Sequence, residues 1–180
     1  MFPVLTTKRL VLRGPVPEDA RRVFELLGDA HEMRWLGRDP IADLEEAQTL
    51  IAMLIQQQVG GEGFRWVLSH SPESELIGSC GLFRWSHQNR SAHIGYDLFP
   101  AHQGQGLMHE AISEILEYAF EIMELNRVVA EIHGDNRPSL KVARRLGFVL
   151  EGVQREAGRW RNEFHDLQLW SLLAADWRGH

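Results

Sequence analysis

A glycine-rich turn between a predicted strand and a predicted helix constrains this 180-residue chain more than any other feature. Two glycines, two residues apart, allow a sharp bend and a close backbone approach to a ligand. The free N–H groups and the positive dipole end of the following helix face the same turn, which makes it a candidate phosphate site. A tight connection without a ligand is the alternative interpretation. The turn consists of Gln103, Gly104, Gln105, Gly106, Leu107 and Met108.

The hydrophobic pattern on either side of this turn predicts one domain over residues 1–180. We predict strands over residues 7–13, 64–69, 75–85, 90–99, 127–133, 148–156 and 164–173, with the last hairpin turn near Gly158. We predict helices over residues 17–28, 43–58, 107–123 and 136–146. This order is typical of an α+β fold with one mixed, mostly antiparallel sheet flanked by about four helices.

Composition excludes several classes of function. The formal net charge of −6 argues against sequence-independent binding of nucleic acid and suits an amine-bearing partner. The single cysteine, Cys80, lies in an apolar run, so we expect a core residue, no disulfide framework and no metal site. No apolar stretch reaches the length of a signal peptide or a membrane span, so we expect a cytoplasmic protein without membrane contact.

Three motifs in their order along the chain resemble the GNAT acyltransferase superfamily. They are LTTKRLVLR at residues 5–13, HQGQGLMHEAI at 102–112 and NRPSLKVARRLGFVLEG at 136–152. Within the superfamily they look most like the RimJ/RimL ribosomal-protein N-acetyltransferases. The resemblance covers nearly the whole chain and implies acetyl-coenzyme A as the donor, with no metal.

The same resemblance assigns roles to individual residues. Family members bind the donor in a gap beside the fourth strand, so the backbone of Leu98 and Phe99 would contact the pantetheine arm. The N–H groups of residues 103–108 would hold the pyrophosphate. Asn136 matches a position that contacts the cofactor arm, although a plain helix cap is an equal alternative. Ser139 matches the proposed proton donor to the departing thiolate and would also line the cofactor site.

The chain departs from the family pattern at the positions of the expected acid and base. Met108 replaces the last Gly or Ala of the loop, and Ala143 replaces a tyrosine that serves many GNAT enzymes as general acid. His93 stands where relatives often have glutamate, and Gly158 aligns with the glutamate proposed as base in RimL-like enzymes. His93 is therefore our candidate base, because its ordinary pKa is near neutrality. A packing role for His93 is the alternative, and Glu131 and Asp135 are alternative proton acceptors.

The acceptor follows from the cost of deprotonating an amine. At pH 7 this costs about 1 kcal/mol for a protein α-amine and about 4.6 kcal/mol for lysine. Without an evident carboxylate base, a protein N-terminus is the easier target, as the resemblance also implies. A small amine (aminoglycoside, polyamine or amino acid) and a non-catalytic acyl-CoA sensor remain as alternatives, and both a monomer and a homodimer are open.

Aromatic residues provide candidates for an acceptor channel, although core packing is the simpler interpretation. Trp160 and Arg161, predicted in the last hairpin turn, are the candidates for touching the acceptor or a partner subunit. The channel candidates are Trp35, Phe83, Trp85, Trp160 and Phe164.

Overall fold

The computed structural model describes residues 2–61 and 63–177, and an eight-stranded sheet organises them. The predicted domain limits at residues 1 and 180 lie outside this described part. The strands are β1 (Leu5–Thr6), β2 (Val11–Arg13), β3 (Phe64–Ser69), β4 (Gly78–Ser86), β5 (Ser91–Leu98), β6 (Arg127–His133), β7 (Val149–Trp160) and β8 (Glu163–Leu173). The helices are α1 (Ala20–Leu27), α2 (Leu44–Gly60), α3 (Leu107–Glu117), which continues as a π-helical segment over Tyr118–Ile122, and α4 (Arg137–Arg145).

The strand order is β1-β2-β3-β4-β5-β6-β8-β7. Only β5 and β6 pair in parallel, and every other neighbouring pair is antiparallel. The predicted α+β fold, with a mixed, mostly antiparallel sheet and four helices, is confirmed.

The one parallel pair opens into a gap. Pairing between β5 and β6 ends at His93 and Val129, although β5 continues to Leu98. Across the other edge of β5, the N–H of Phe99 donates to Ile77. Since backbone groups alternate in direction along a strand, Leu98 and Tyr96 point their N–H and C=O groups away from β4 and into the gap.

Helices cover both faces of the sheet. The buried row of α3, which includes Leu107, Ala111 and Ile115, packs on one face together with α4. The opposite face carries α1 and α2, which pack against Val67 and Leu76. Cys80 lies fully buried in the first layer, as predicted, and burial raises the pKa of its thiol to about 12.

Capping residues that are recognisable in the sequence lie at the ends of α2 and α4 in the structure. Asp43 caps α2 by accepting from the N–H of Glu46 at 2.9 Å, and Gly61 ends it in the left-handed conformation with φ +69°. Asn136 caps α4 in the same way.

Three predicted strand boundaries are wrong. The strand predicted over 7–13 forms only over Val11–Arg13, because Thr7 begins a turn in which its N–H donates to the carbonyl of Leu10 at 2.9 Å. The strand predicted from residue 75 begins at Gly78. The last hairpin turn lies at Arg161 and Asn162 rather than near Gly158. Both turn residues have positive φ, +53° and +58°, which matches the twist of a two-residue hairpin turn.

Across the described residues, no helix combines the length and the apolar character that a membrane crossing requires.

Candidate active site

The glycine turn lies at the open end of the β5–β6 gap. Gly104 and Gly106 have φ of +74° and +78°, a region that residues with a Cβ atom rarely adopt. Gly106 precedes α3 without a side-chain cap, and the first backbone bond of the helix runs from the Glu110 N–H to the Gly106 carbonyl. The N–H groups of the first turn are therefore not used by a capping side chain, as an anion site requires.

The two glutamine side chains of the turn fold back onto its own backbone. The amide of Gln103 donates to the Leu98 carbonyl at 2.8 Å, and the amide of Gln105 donates to the Ala101 carbonyl at 2.9 Å. The Leu98 carbonyl is therefore already bonded, which leaves the Leu98 N–H as the group that faces the gap.

Hydrogen bonds from the N-terminal β1–β2 hairpin support the turn, and no sequence motif predicts them. Arg9 donates to the Gln105 carbonyl at 3.0 Å and to the Glu110 carboxylate at 2.7 Å, which Thr7 also bonds at 2.6 Å. Partial burial raises the pKa of Glu110, but the bonds from Thr7 and Arg9 outweigh it and hold this pKa below its ordinary value. The partners lie about a hundred residues apart, so no local pattern indicates them.

Phe99 lies apart from the turn. Its N–H is bonded to Ile77, and the guanidinium of Arg22 lies 4.1 Å from the centre of its ring. Its ring packs in the α1–α2 layer. The structure therefore brings Leu98 to the gap but not Phe99.

The start of α4 carries the polar centre of the site. The side-chain oxygen of Asn136 accepts from the Ser139 N–H at 3.2 Å, so its capping role is observed directly. The Ser139 hydroxyl lies 2.6 Å from the Tyr96 hydroxyl. Burial raises the pKa of Tyr96 to about 12, so its phenol stays protonated at neutral pH.

Two cavities meet at this centre. The loop cavity, of about 270 Å³, is bounded by the glycine turn and the start of α3 and α4. The large cavity, of about 550 Å³, lies between the sheet and the α1–α2 layer. The polar residues that line both are Tyr96, Asp97, Asn136 and Ser139.

His93 lies outside this meeting point. Its Nδ1 is 3.6 Å from the Glu131 carboxylate, which also accepts from Arg84 at 3.1 Å. Phe83, Arg84 and Glu131 line the large cavity, and the His93 ring lies 5.7 Å from that of Phe83. Burial lowers the pKa of His93 from 6.5, and Glu131 opposes that shift. The proposed role of His93 as base stays a prediction, while Glu131 reaches the cavity itself.

Asp135, the other predicted proton acceptor, is exposed beyond the end of β6, where its N–H donates to His133.

Three of the five aromatic channel candidates line the large cavity: Trp35, Phe83 and Trp160. Trp85 packs near Phe64 and His87, and Phe164 is exposed on β8.

Trp160 is buried at the end of β7, not in the hairpin turn as predicted, because the turn follows it. Its indole N–H donates to the Arg34 carbonyl at 3.1 Å. The N–H of Arg161 donates to Asp39 at 2.7 Å. The hairpin end therefore holds the segment after α1 over the large cavity.

A buried ion pair in the cavity wall is a second feature that the sequence analysis missed. Asp97 on β5 pairs with Arg65 on β3, and its carboxylate lies 2.8 Å and 2.9 Å from the Ser79 hydroxyl on β4. The Asp97 side chain is only 7% exposed. The available sequence signal was a carboxylate near the end of β5, a strand that contains no other Asp, Glu, Lys or Arg.

Within the described residues, no group of three or more His, Cys, Asp or Glu side chains is arranged to hold a metal ion.

The family model for the acetyltransferase (GNAT) domain matches residues 9–149. Since this is more than half of the chain, the protein belongs to the GNAT acetyltransferase family, the class that the fold and the glycine turn indicate. The resemblance to RimJ/RimL-type N-acetyltransferases is confirmed by the relatives that it matches.

The chain is similar over nearly its whole length to named relatives. It is 31% identical to an uncharacterized N-acetyltransferase, p20, of Bacillus licheniformis, over 97% of this chain and 98% of that protein. It is 28% identical to the ribosomal protein uS5-alanine N-acetyltransferase of Escherichia coli, over 96% and 92%. In fold it resembles a spermidine N-acetyltransferase from Vibrio cholerae, solved with CoA and spermine (TM-score 0.82, 23% identity, 93% and 97% coverage).

Proposed function

We propose that this protein transfers the acetyl group of acetyl-CoA directly to the N-terminal α-amine of a protein, such as a ribosomal protein. The observation that carries the proposal is the meeting of the two cavities at Ser139 and Tyr96. A donor in the loop cavity and an acceptor in the large cavity would reach the same pair of hydroxyl groups from opposite sides.

The residues of the loop cavity fit the donor. Gly104 has open space where a Cβ atom would project, and the uncapped start of α3 offers N–H groups to a pyrophosphate. Lys141 and Arg145 also line this cavity and add positive charge for the donor's phosphates. The strand gap, with the Leu98 N–H, suits an extended arm bound through backbone hydrogen bonds.

Acetyl-CoA supplies an activated acetyl thioester, and the chain supplies its orientation and the proton donor. The Leu98 N–H faces the gap and would stabilise the developing oxyanion, a contribution of about 3 kcal/mol for a well-placed donor. The amine nitrogen bonds to the acetyl carbon and the carbon–sulfur bond breaks. Ser139 donates its proton to the leaving sulfur and regains one from the Tyr96 phenol, which lies within hydrogen-bond distance, and the proton that the attacking nitrogen loses replaces that of the phenol, so both hydroxyl groups end protonated.

The large cavity disfavours a polycationic acceptor. Four arginines line it (Arg38, Arg65, Arg84 and Arg159) against two carboxylates, Asp97 and Glu131. A polyamine or an aminoglycoside would therefore meet net positive charge. A protein N-terminus carries a single amine, which is also the cheaper amine to deprotonate. The name of the uS5-alanine relative supports the same choice.

A small single amine, such as an amino acid, is the second candidate. It is favoured by the volume of the large cavity, about 550 Å³, which is in the range of small-molecule sites. The alternative of a non-catalytic acyl-CoA sensor is not proposed, because the chain belongs to an enzyme family and keeps Ser139.

The test is thiol release from acetyl-CoA with a panel of acceptors. The panel contains hexapeptides that begin with serine or alanine, their N-acetylated forms, spermidine, an aminoglycoside and free amino acids. Release with the free peptides, but not with their blocked forms, supports the proposal. Release with amino acids alone moves the function to the second candidate, and release with spermidine contradicts the charge argument.

A further inference from the structure

We infer that Asp97 binds the amine of the acceptor, and that Arg65 and Ser79 hold its carboxylate in place. The inference rests on the proposed transfer to an amine and names the group that recognises this amine. None of the sequence motifs points to these three residues, which lie on three adjacent strands.

The position of Asp97 is the first argument. Among the described residues, Asp97 is the carboxylate that lines both cavities, whereas Glu32 lines only the loop cavity and Glu131 only the large one. Asp97 follows Tyr96 on β5, so its carboxylate points to the opposite face of the sheet, toward the α1–α2 layer and the large cavity, whereas the Tyr96 hydroxyl reaches Ser139 on the α3–α4 side. An amine on this carboxylate would lie in the wall of the large cavity, one strand residue away from the Tyr96–Ser139 pair.

The unused bonding capacity of the carboxylate is the second argument. An ionised carboxylate has about four acceptor positions. Arg65 and the single hydroxyl hydrogen of Ser79 occupy two of them. The remaining positions can accept N–H hydrogens from an amine in the cavity.

The rigidity of the cluster is the third argument. Arg65 donates to the Gly95 carbonyl at 3.1 Å and to the Ser79 hydroxyl at 2.9 Å besides pairing with Asp97. The Asp97 side chain is 7% exposed and that of Arg65 is 24% exposed. A buried ion pair gives little net stability compared with apolar packing, so stability alone does not explain one in the wall of this cavity.

The bound amine enters the reaction with balanced atoms and charge. An ammonium acceptor and acetyl-CoA yield the acetamide, free CoA thiol and one proton. The ammonium first loses one proton to solvent, and Asp97 holds the neutral amine through its N–H hydrogens while the nitrogen bonds to the acetyl carbon. The second proton that the nitrogen loses balances the proton that Ser139 gives to the sulfur. Ser139 acts on the sulfur, so Asp97 and Ser139 serve opposite ends of the reacting group.

The test compares Asp97→Asn with a matched variant, Asp19→Asn. Asp19 is equally buried (its side chain is 5% exposed) and pairs with Arg13 at 2.8 Å, but it lines neither cavity. We expect Asp97→Asn to raise the KM of the acceptor peptide about 10- to 100-fold, as the loss of a charged hydrogen bond does, with the KM of acetyl-CoA unchanged. Asp19→Asn should lower the Tm and leave both KM values unchanged.

Ser79→Ala gives a second route if Asp97→Asn does not fold, since it keeps the Arg65–Asp97 pair but frees the carboxylate to turn. It should also raise the KM of the peptide and not that of acetyl-CoA. An unchanged acceptor KM in the folded variants, or equal rises in both KM values, overturns the inference.

The role of Asp97 can be tested even if the proposed N-terminal acceptor is wrong. If spermidine or an amino acid is the acceptor, the proposed N-terminal target fails, and the same KM comparison with that amine decides the role of Asp97. If the wild type releases no thiol, calorimetric titration of the serine hexapeptide into protein saturated with CoA decides it. Weaker binding to Asp97→Asn than to wild type supports the inference, and equal binding or no binding to wild type overturns it.

Discussion

The hydroxyl oxygens of Tyr96 and Ser139 lie 2.6 Å apart, although one residue is on β5 and the other is in the first turn of α4, 43 positions later. Burial raises the pKa of Tyr96 to about 12, so this contact joins a protonated phenol to a serine hydroxyl. The two hydroxyl groups lie at the junction of the two cavities. A proton can pass from the Tyr96 hydroxyl to Ser139 when Ser139 has given up its own.

We expect Ser139→Ala to lower kcat about 10- to 100-fold, because it removes the proton donor to the leaving sulfur. This loss in kcat is at or below the low end of the rate factors that general acid catalysis contributes, since a thiolate leaves readily without a proton donor. The KM of acetyl-CoA should change little, and steady-state thiol release measures both constants.

Ser113→Ala is the control for this prediction, because the Ser113 hydroxyl donates to the His109 carbonyl on the adjacent turn of α3 and lines neither cavity. Wild-type kcat in Ser139→Ala would remove the proton-donor role. Tyr96→Phe should lower kcat less, and the double variant should resemble Ser139→Ala, since two groups in one relay are not additive.

Gly104→Ala should raise the KM of acetyl-CoA several-fold. The added methyl group meets no atom within 4 Å, so the cause is the positive φ of +74°, which disfavours alanine by about 1–2 kcal/mol and displaces the loop. Gly152→Ala is the matched control, because its methyl group also meets open space and its φ is not positive. Equal KM values in the two variants would show that the turn does not bind the donor.

His93→Gln should remove an acidic limb from the pH–rate profile if His93 accepts a proton. Burial lowers the pKa of His93, against Glu131, so the neutral base predominates above pH 6.5 and the limb falls below this value. The measurement is the ratio of variant to wild-type kcat from pH 5 to 8, in which the titration of the acceptor amine cancels.

His87→Gln is the control for His93, since His87 is exposed in the β4–β5 turn. If the ratio of variant to wild-type kcat for His93→Gln does not change with pH, His93 is a packing residue beside Phe83, and Glu131 becomes the candidate base.

Glu151 should contribute to stability in a pH-dependent way. Hydrogen bonds from Arg127 and Ser171 lower the pKa of Glu151 to about 2 from 4.5. Because the folded-state pKa is the lower one, the contribution is complete above pH 4.5 and is lost as the pH falls toward 2. Solvent reaches the carboxylate, which is 37% exposed, so we expect at most about 1 kcal/mol.

Urea unfolding of wild type and Glu151→Gln measures this contribution. The wild type should be more stable at pH 7, and the difference should shrink at pH 3. A difference that stays constant between the two pH values would show that the Arg127 contact does not depend on the charge of Glu151.

Much of the fold follows from local patterns. The apolar rows of α3, the capping residues Asp43 and Asn136 and each hairpin of the β3–β5 meander are encoded by residues that are close in the chain, so the sequence predicts them. The motif order also leads to the family. The turn at Arg161 and Asn162 was missed because neither residue is a glycine, and only the pairing of β7 with β8 forces their positive φ.

The sequence alone determined the family, the α+β architecture and the glycine turn, because these depend on contacts between near neighbours in the chain. The tertiary structure decided which polar groups meet. The gap beside Leu98, the Tyr96–Ser139 contact and the Arg65–Asp97 pair all join separate elements. Such pairs form only when the whole sheet is assembled, since strand register and burial bring them together, and no local pattern records which partner each side chain will find.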